Sequence, residues 1–384
     1  MENCIVCLTL TIPSKIKAGL VLTPFVVSMV SQLSGIESVC CINLTGLRYE
    51  GLEVDEITRR FENFRKLLRR LGAPIDHYWI DSDASHINRL QKYCEKLVAN
   101  GELQSRSVSI AICQCGAVEV LAEALHADWL MEHKVIRWEK NRAFCTLCNT
   151  PLKTELDHCL LLESDFGNGT LTMLPSFYAK ECGALRTKFG QPMLISRRGK
   201  GDYRVSLFDR VWRLDTDFCW SFLFQSLIED GLHPSAVVVS NRSLKPLIWS
   251  LGLSRKLSDS LQDMTVIVTP FMKLNSERLK SPNAGTLHKL IDRYGQLPIR
   301  LFMASGLKWG QKDVVMSSDT IFWSLKALSH ESAVVPNVER TILPLSETLP
   351  MMEGRLTEQL ITDLRKESSV PLSQYQNLLL ERRV

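Results

Sequence analysis

The chain is predicted to have an α/β fold, in which a doubly wound parallel sheet carries an inserted, cysteine-bearing subdomain. In two stretches, residues 1–107 and 195–308, apolar β-branched runs alternate with helical patterns, as in successive βαβ units. Between them lies a stretch that breaks this alternation and contains closely spaced cysteines. We therefore expect a two-part core around an insertion, followed by a short helical C-terminal part.

The first half of the core is assigned to residues 1–107. Its predicted elements alternate along the chain: a strand at 5–12, an apolar helix at 20–33, a strand at 38–44, an amphipathic helix at 55–71, a strand at 77–80 and a helix at 84–100. The tripeptide Asp81-Ser82-Asp83 can cap the last of these helices. This βαβ opening is typical of a doubly wound sheet.

Residues 108–194 are assigned to a connective insertion with a metal knuckle. A C-x-C pair followed by glycine and a later C-x-x-C pair offer four thiolates beside residues that permit tight turns, which suits tetrahedral zinc. The predicted ligands are Cys113, Cys115, Cys145 and Cys148. Because C-x-C is tighter than the usual spacing, two alternatives stay open: four unligated thiols, or one ligand replaced by a histidine, His126, His133 or His158.

The second half of the core is assigned to residues 195–308. Its predicted elements are a strand end and helix at 212–231, a buried strand at 235–239, a short helix at 244–251 and a buried strand at 264–269. These give a second βαβ half. Residues 309–384 are assigned to a helical C-terminal segment.

Composition places the chain among ordinary globular proteins. Its net charge of +4 lacks the concentrated Lys/Arg surface that by itself indicates nucleic-acid binding. The longest uncharged run lies between Lys17 and Glu37. It contains Pro24 and several polar residues, so we interpret it as a buried helix and expect no membrane partner. Twelve cysteines without a clear export signal indicate reduced thiols in a cytoplasmic protein. Cys4 and Cys7 lie on a predicted strand, where they should face opposite sides and pack in the core.

The segment 278–305, RLKSPNAGTLHKLIDRYGQLPIRLFMAS, resembles the region after the last core strand of class I aminoacyl-tRNA synthetases. In that family a KMSKS loop precedes a helix ending in LIERYG and an apolar segment. Aligning on LIDRYG places Lys280 and Ser281 over the second lysine and the final serine, while Glu277 replaces the first lysine, with Lys273 as its candidate substitute. The resemblance implies that Lys280 stabilises a pyrophosphate leaving group with the help of Ser281. The alternative is a surface loop inherited from an ancestor.

The turn at residues 13–20 resembles the family's Pro-x-x-Gly-x-x-HIGH turn, in which two histidines and a helix N-terminus contact the triphosphate. Placing the family's glycine on Gly19 puts Lys17 and Leu20 at the two histidine positions. The resemblance implies that Pro13 and Gly19 shape a nucleotide-binding turn and that Lys17 pairs with phosphate. The alternative is a βα turn with a close-packing glycine and solvated lysines.

Three further segments match the family in the expected order. Residues 194–199, LISRRG, resemble the segment that returns from the insertion, where Arg197 can hold a carboxylate or phosphate or form a structural ion pair. Residues 237–242, VVVSNR, fall where a Gly-x-Asp motif holds the ribose. Ser240 and Asn241 can still bond a hydroxyl there, although the carboxylate is missing.

The third of these segments, residues 212–220, resembles the amino-acid side of the pocket in the methionine type. The resemblance implies that Asp215, Asp217 and Trp220 bind the amino acid, the aspartates through its α-amino group. Either aspartate is equally suited to cap a helix.

The resemblance covers residues 1–330 and is greatest to the methionine, leucine and cysteine group. It implies a Rossmann-like nucleotide fold that uses ATP with magnesium, and a degenerate paralogue without an anticodon-binding domain. We expect an ATP-dependent ligase that activates an amino acid for a non-standard acceptor, such as a carrier protein, a small amine or a tRNA. Two alternatives stay open: an inactive paralogue that binds and regulates, and a transferase that uses aminoacyl-tRNA without ATP.

Overall fold

A computed structural model of the chain describes most of its first 316 residues. The described residues are 2–16, 18–45, 51–126, 136–163, 172–180, 192–198, 203–215, 218, 222–244, 247, 251, 261, 264–274, 286–305 and 313–316. The predicted C-terminal helical segment lies outside them, apart from one short strand.

The strands and helices of the described residues are numbered here in chain order. The strands are β1 (Glu2–Leu10), β2 (Glu37–Ile42), β3 (His77–Ile80), β4 (Leu103–Ile112), β5 (Glu119–Leu121), β6 (Ile136–Glu139), β7 (Arg142–Cys145), β8 (Lys153–Leu162), β9 (Thr172–Leu174), β10 (Met193–Leu194), β11 (Arg204–Leu207), β12 (Arg210–Arg213), β13 (Leu232–Ser240), β14 (Thr265–Thr269), β15 (Phe271–Leu274) and β16 (Asp313–Met316). The helices are α1 (Leu22–Ser34), α2 (Val54–Arg70), α3 (Ala84–Ala99), α4 (Leu223–Glu229), α5 (Leu287–Tyr294) and α6 (Gln296–Ser305).

The core is a six-stranded sheet in the order β3-β2-β1-β13-β14-β9, and every pair in it is parallel. Side chains of β1 alternate between its two faces. Cys7 packs in one apolar cluster with residues of α1, α2, α5 and α6, whereas Cys4 packs in the other with residues of α4. Helices therefore cover both faces, as in a doubly wound fold, and the prediction for the two cysteines is confirmed.

Helix α1 shows why the uncharged run forms a core element. Its residues from Leu22 to Val30 are buried, and Gly35 ends the helix in the left-handed conformation, with its N–H donating to the carbonyl of Ser31 at 2.8 Å. In the described part of the chain, no helix is long and apolar enough to cross a membrane.

A second sheet, in the order β10-β8-β4-β5, is antiparallel, and most of its residues lie in the insertion. Strands β4 and β8 pair along ten residues each, and the hairpin β6–β7 carries the later cysteine pair. Strand β9 lies within the range assigned to the insertion, yet it pairs with β14 at the edge of the core sheet. The predicted α/β fold with a doubly wound parallel sheet and a cysteine-bearing cluster is confirmed, and the domain bounds stay a prediction.

Candidate functional site

The strand order reverses between β1 and β13, which lie side by side in the middle of the core sheet. In open α/β sheets, ligands bind at the carboxyl ends of the strands at such a switch point. Pro13 follows β1 and is exposed, and Gly19 is half-buried in the 3₁₀ turn that precedes α1. Ser240 ends β13, and Asn241 opens the 3₁₀ turn that follows it. These four predicted nucleotide-binding residues therefore follow the carboxyl ends of two adjacent strands.

The groups at this edge differ in whether they form hydrogen bonds or pack in the core. The Ser240 hydroxyl lies 3.1 Å from that of Ser243, so the two can share one hydrogen bond across the turn. No side chain caps the N-terminus of α1, where Val21 occupies the cap position. Leu20, at the position of the second family histidine, is half-buried and packs against the core cluster of α1 and α2. Leu20 therefore offers no polar group at that position.

Five of the predicted site residues lie outside the described part of the chain. They are the three catalytic residues and two of the substrate-binding residues, namely Lys17, Lys280, Ser281, Asp217 and Trp220. Their roles stay predictions.

Arg197 and Asp215, both predicted to bind substrate, contact each other. The Arg197 guanidinium donates to Asp215 Oδ2, with Nε at 2.5 Å, and also to the carbonyl of Glu119. The backbone N–H of Arg198 donates to the buried Glu119 carboxylate at 3.0 Å. This network joins β5 of the insertion to the segment that returns to the core. Of the two interactions that the sequence suggests for Arg197, the structure therefore contains the ion pair within the protein.

Asp81 is a buried carboxylate at the carboxyl end of β3 that the sequence analysis considered only as a helix cap. Its Oδ1 accepts hydrogen bonds from the N–H groups of Leu44 at 2.8 Å and Thr45 at 3.0 Å, and its Oδ2 accepts one from the Tyr203 hydroxyl. Burial raises the pKa of this carboxyl, against the lowering effect of those donors. Asp83 occupies the cap position of α3 without a side-chain cap bond. Asp81 thus ties the loop after β2 to the second half of the core instead of capping α3, whereas Asp83 occupies the predicted cap position without the side-chain bond.

His86 is a second buried polar residue that the sequence analysis did not select. Its ring lies 3.5 Å from that of Trp79 and 4.3 Å from that of Phe222, between centroids. Neither ring nitrogen has a hydrogen-bond partner among the described residues, and burial lowers its pKa to about 2. The imidazole is therefore neutral. The spacing of His86, Leu90 and Leu97 on one face of α3 is the sequence signal that places it inside.

The four predicted metal ligands converge at the tip of the insertion. The Sγ atoms of Cys113, Cys115, Cys145 and Cys148 all lie within 4.8 Å of one another. Cys113 Sγ is 3.4 Å from Cys115 Sγ, which is 3.8 Å from Cys145 Sγ. Zinc–thiolate bonds of about 2.3 Å in a tetrahedron require sulfur–sulfur edges of about 3.8 Å. The donor set therefore fits a tetrahedral ion with only small adjustments.

Local backbone geometry explains how two short spacings produce this cluster. Gly116 and Asn149 follow the two cysteine pairs and adopt left-handed conformations, with φ of 74° and 59°. The N–H of Val118 donates to Cys113 Sγ at 3.2 Å. Hydrogen bonds from the hydroxyl and the N–H of Thr150 lower the pKa of the Cys148 thiol to about 6, which favours the thiolate form that binds metals.

The histidine alternative is resolved for one of its three candidates. His158 lies on β8, where its ring nitrogens contact the hydroxyls of Ser105 and Ser107 at 2.8 and 3.5 Å. Its ring also packs against that of Trp212. His158 is therefore not part of the cysteine cluster, whereas the side chains of His126 and His133 are outside the described part.

Comparison with known proteins finds similarity at the level of structure. No protein-family model and no curated protein sequence matches the chain. A structure of Mycobacterium tuberculosis methionyl-tRNA synthetase in complex with methionyl-adenylate has a TM-score of 0.66 and 11% identity, covering 96% of this chain and 82% of that one. A second, also bound by methionyl-adenylate, has a TM-score of 0.62 and 10% identity, covering 99% and 88%.

An apo structure of the same synthetase has a TM-score of 0.61 and 11% identity, covering 99% of this chain and 86% of that one. At such identities the similarity shows the fold alone. The chain therefore has a distant class I aminoacyl-tRNA synthetase-like fold.

Proposed function

We propose that the protein is an ATP-dependent ligase that activates an amino acid at the carboxyl edge of its core sheet and transfers it to a non-standard acceptor. The observation that carries this proposal is the parallel order β3-β2-β1-β13-β14, which places the turn after β1 beside the turn after β13. Similar structures hold methionyl-adenylate, a joined amino acid and nucleotide. In doubly wound sheets a nucleotide binds outside the carboxyl ends of the strands where the strand order reverses, and the order here reverses between β1 and β13.

Each residue of the proposed site has a distinct task. The uncapped N-terminus of α1 offers backbone N–H groups and the positive end of a helix dipole to the phosphates of ATP, which bring magnesium with them. Ser240 and Asn241 bond the ribose hydroxyls. Lys17 and Lys280 supply positive charge, and Ser281 a hydroxyl, where the departing pyrophosphate accumulates negative charge.

The reaction proposed for this site is the attack of an amino-acid carboxylate on the α-phosphorus of ATP. The new carboxylate–phosphorus bond forms as the bond to pyrophosphate breaks, which leaves an aminoacyl adenylate. Asp217 and Trp220 bind the amino acid, with Asp217 facing its ammonium group. Asp215 and Arg197 shape that side of the pocket through their ion pair. A nucleophile on an amine, a carrier protein or a tRNA then attacks the acyl carbon, and AMP leaves as the acyl–phosphate bond breaks.

Zinc has a structural task in this proposal. The four-cysteine cluster would hold the ion with all four coordination positions filled by thiolates, which leaves none for a substrate. Zinc bound there would fix the tip of the insertion by crosslinking the segment around Cys113 to the hairpin β6–β7.

One rival function has a specific observation in its favour. In a catalytically inactive paralogue that binds and regulates, polar groups of the ancestral site are free to become packing groups. Leu20 packs against the core where the family places a histidine, and Arg197 and Asp215 bond each other. A transferase that uses aminoacyl-tRNA without ATP would tolerate the same changes. Both rivals lack amino-acid-dependent chemistry on ATP.

The test is ATP–pyrophosphate exchange with a panel of amino acids, on zinc-loaded protein. We expect exchange with one amino acid or a few related ones, and a loss of at least about tenfold for Lys280→Ala, because one charge-assisted contact to the leaving group is removed. The matched control is Lys289→Ala, an exposed lysine on α5, which should exchange like the unmodified protein. Absence of exchange with every amino acid would leave the inactive paralogue or the transferase.

A further inference from the structure

A groove between α3 and α4 is independent of the proposed adenylation site. It encloses about 230 Å³ and is lined by Arg89, Lys92, Tyr93 and Lys96 of α3, together with Phe222, Gln225, Ser226 and Glu229. The two helices lie on different halves of the chain, so the groove exists only in the assembled core. Tyr93 and Phe222, both buried, form its aromatic floor.

Cations form one wall of this groove. Lys92 and Lys96 are exposed and one helical turn apart, and neither forms an ion pair with a carboxylate of the described residues. Lysines on one face of a helix are usually just solvated. Here, however, both line a concave space, and their flexible stems allow two ammonium groups to approach one anion.

The remaining charges of the groove are already paired. Arg89 donates to Ser226 Oγ at 2.9 Å and to Asp230, and its Nε lies 3.5 Å from Glu229. The Glu229 carboxylate, the one acidic group among the described residues of the lining, is thus partly neutralised by Arg89. An anion that enters the groove meets an excess of positive charge from Lys92 and Lys96.

A second and independent observation concerns Gln225. Its Oε1 is buried and has no hydrogen-bond partner among the described residues, although the side chain lines the groove. An unsatisfied buried acceptor costs about 1–3 kcal/mol, so this oxygen calls for a donor. A ligand that fits the groove needs an anionic group, an N–H donor and a planar part to lie on the aromatic floor.

We propose that this groove binds a nucleoside monophosphate, whose phosphate contacts Lys92 and Lys96 and whose base donates an N–H to Gln225 Oε1. The volume is suited to a single nucleotide, and the two lysines match one phosphate group. A nucleotide bound here bridges the two halves of the core through α3 and α4. It is a site for a free nucleotide, separate from the ATP site proposed at the carboxyl ends of β1 and β13.

The experiment is calorimetry with cytidine monophosphate, inorganic phosphate, cytidine and a short single-stranded RNA. We expect cytidine monophosphate to bind at about 0.1–1 mM, and phosphate or cytidine alone to bind at least about tenfold more weakly, because each offers only part of the contacts. Lys92→Ala combined with Lys96→Ala should weaken cytidine monophosphate binding by at least about tenfold. The control is Lys66→Ala combined with Lys289→Ala, which removes the same charge from exposed positions on α2 and α5 and should change nothing.

Gln225→Leu separates a specific site from an adventitious anion. It should weaken cytidine monophosphate about fivefold and leave phosphate unchanged, because only the base is held by Oε1. Three outcomes would overturn the proposal. Phosphate could bind as tightly as cytidine monophosphate, the double lysine variant could bind cytidine monophosphate as well as the unmodified protein, or the RNA could bind while cytidine monophosphate does not. Asn241→Ala should bind cytidine monophosphate normally. The proposal for the groove and the proposal for the adenylation site can therefore be refuted independently.

Discussion

The cysteine cluster and the carboxyl edge of the core sheet are both predicted sites, and they are built in opposite ways. In the cluster, two short segments bring four Sγ atoms within 4.8 Å of one another, and each segment has its own turn residue with positive φ. At the sheet edge the turns after β1 and β13 come from segments more than two hundred residues apart, and Leu20 in the first of these turns packs against the core. A site built within two short turns can be recognised from the spacing of its cysteines, whereas a site assembled from distant segments depends on the whole sheet to bring its groups together.

The largest effect should come from breaking the cluster. Cys113→Ser removes one thiolate from a closed tetrahedral set, so we expect bound zinc to fall from one ion per chain to none. The free energy that stabilises the folded insertion should fall by an amount on the order of 5 kcal/mol or more. Metal content by mass spectrometry and thermal unfolding measure both. Cys159→Ala, a buried cysteine outside the cluster, should keep its zinc. Full zinc content in Cys113→Ser would show that the cluster is not the metal site, and loss of ATP binding with the zinc would show that the two sites are coupled.

The second-largest effect on stability is expected at Asp81, because this carboxyl group accepts hydrogen bonds from three donors. Asp81→Ala leaves the N–H groups of Leu44 and Thr45 and the hydroxyl of Tyr203 without their acceptor, and should destabilise the core by about 3 kcal/mol in urea unfolding. Asp83→Ala should change stability by less than about 0.5 kcal/mol, because its side chain makes no cap bond. Equal effects of the two substitutions would contradict the structural assignment.

The same carboxyl predicts a pH dependence. Burial raises the pKa of Asp81 above its ordinary value of 3.8, so the folded protein holds this proton at pH values where the unfolded chain has released it. Its contribution to stability is therefore complete below about pH 4 and declines as the pH rises through the raised pKa. The stability difference between the unmodified protein and Asp81→Asn should shrink over that range. A difference that grows with pH would mean that the folded-state pKa is lowered.

A smaller effect is expected from the pair of Arg197 and Asp215. It tests whether this ion pair stabilises the fold or binds the substrate. A double-mutant cycle with alanine at both positions should give a coupling energy of about 1 kcal/mol in unfolding, modest because the arginine is about one-third exposed. Amino-acid affinity, measured by exchange, should fall less than about threefold in Arg197→Ala. A large loss of affinity without a loss of stability would assign Arg197 to the substrate.

The smallest effect is expected at Asn241. Asn241→Ala should weaken ATP binding about fivefold, because one neutral hydrogen bond to the ribose contributes about 1 kcal/mol. Ser235→Ala, earlier on β13, is the control and should bind ATP normally. If the two variants bind ATP equally, the ribose is not held by Asn241.

The fold was largely predictable because apolar periodicity is a local signal. The predicted strand at 77–80 coincides with β3, and the predicted helix at 84–100 differs from α3 by one residue. The pairing of β9 with β14 was not predictable, because three residues with no periodicity of their own join a sheet whose other strands are remote in sequence.

The candidate site was predictable in part. Spacing pointed to the four cysteines because each pair sits in one turn, although it left a histidine ligand open, and the structure shows that the four Sγ atoms converge. The acceptor role of Asp81 was not, since its partner Tyr203 lies 122 residues away and a helix cap explained the same aspartate locally. Likewise, the sequence offered a substrate role and a structural role for Arg197, and only the structure pairs it with Asp215.

The central claim is that the carboxyl edge between β1 and β13 still binds and uses ATP. Calorimetric titration of ATP with magnesium into zinc-loaded protein, repeated with each amino acid that supports exchange, tests it most directly. The account predicts one ATP per chain with an affinity tighter than about 1 mM, and tighter binding when the correct amino acid is present. No heat of binding at millimolar ATP, with or without amino acids, would contradict it and leave a synthetase-like fold without adenylation.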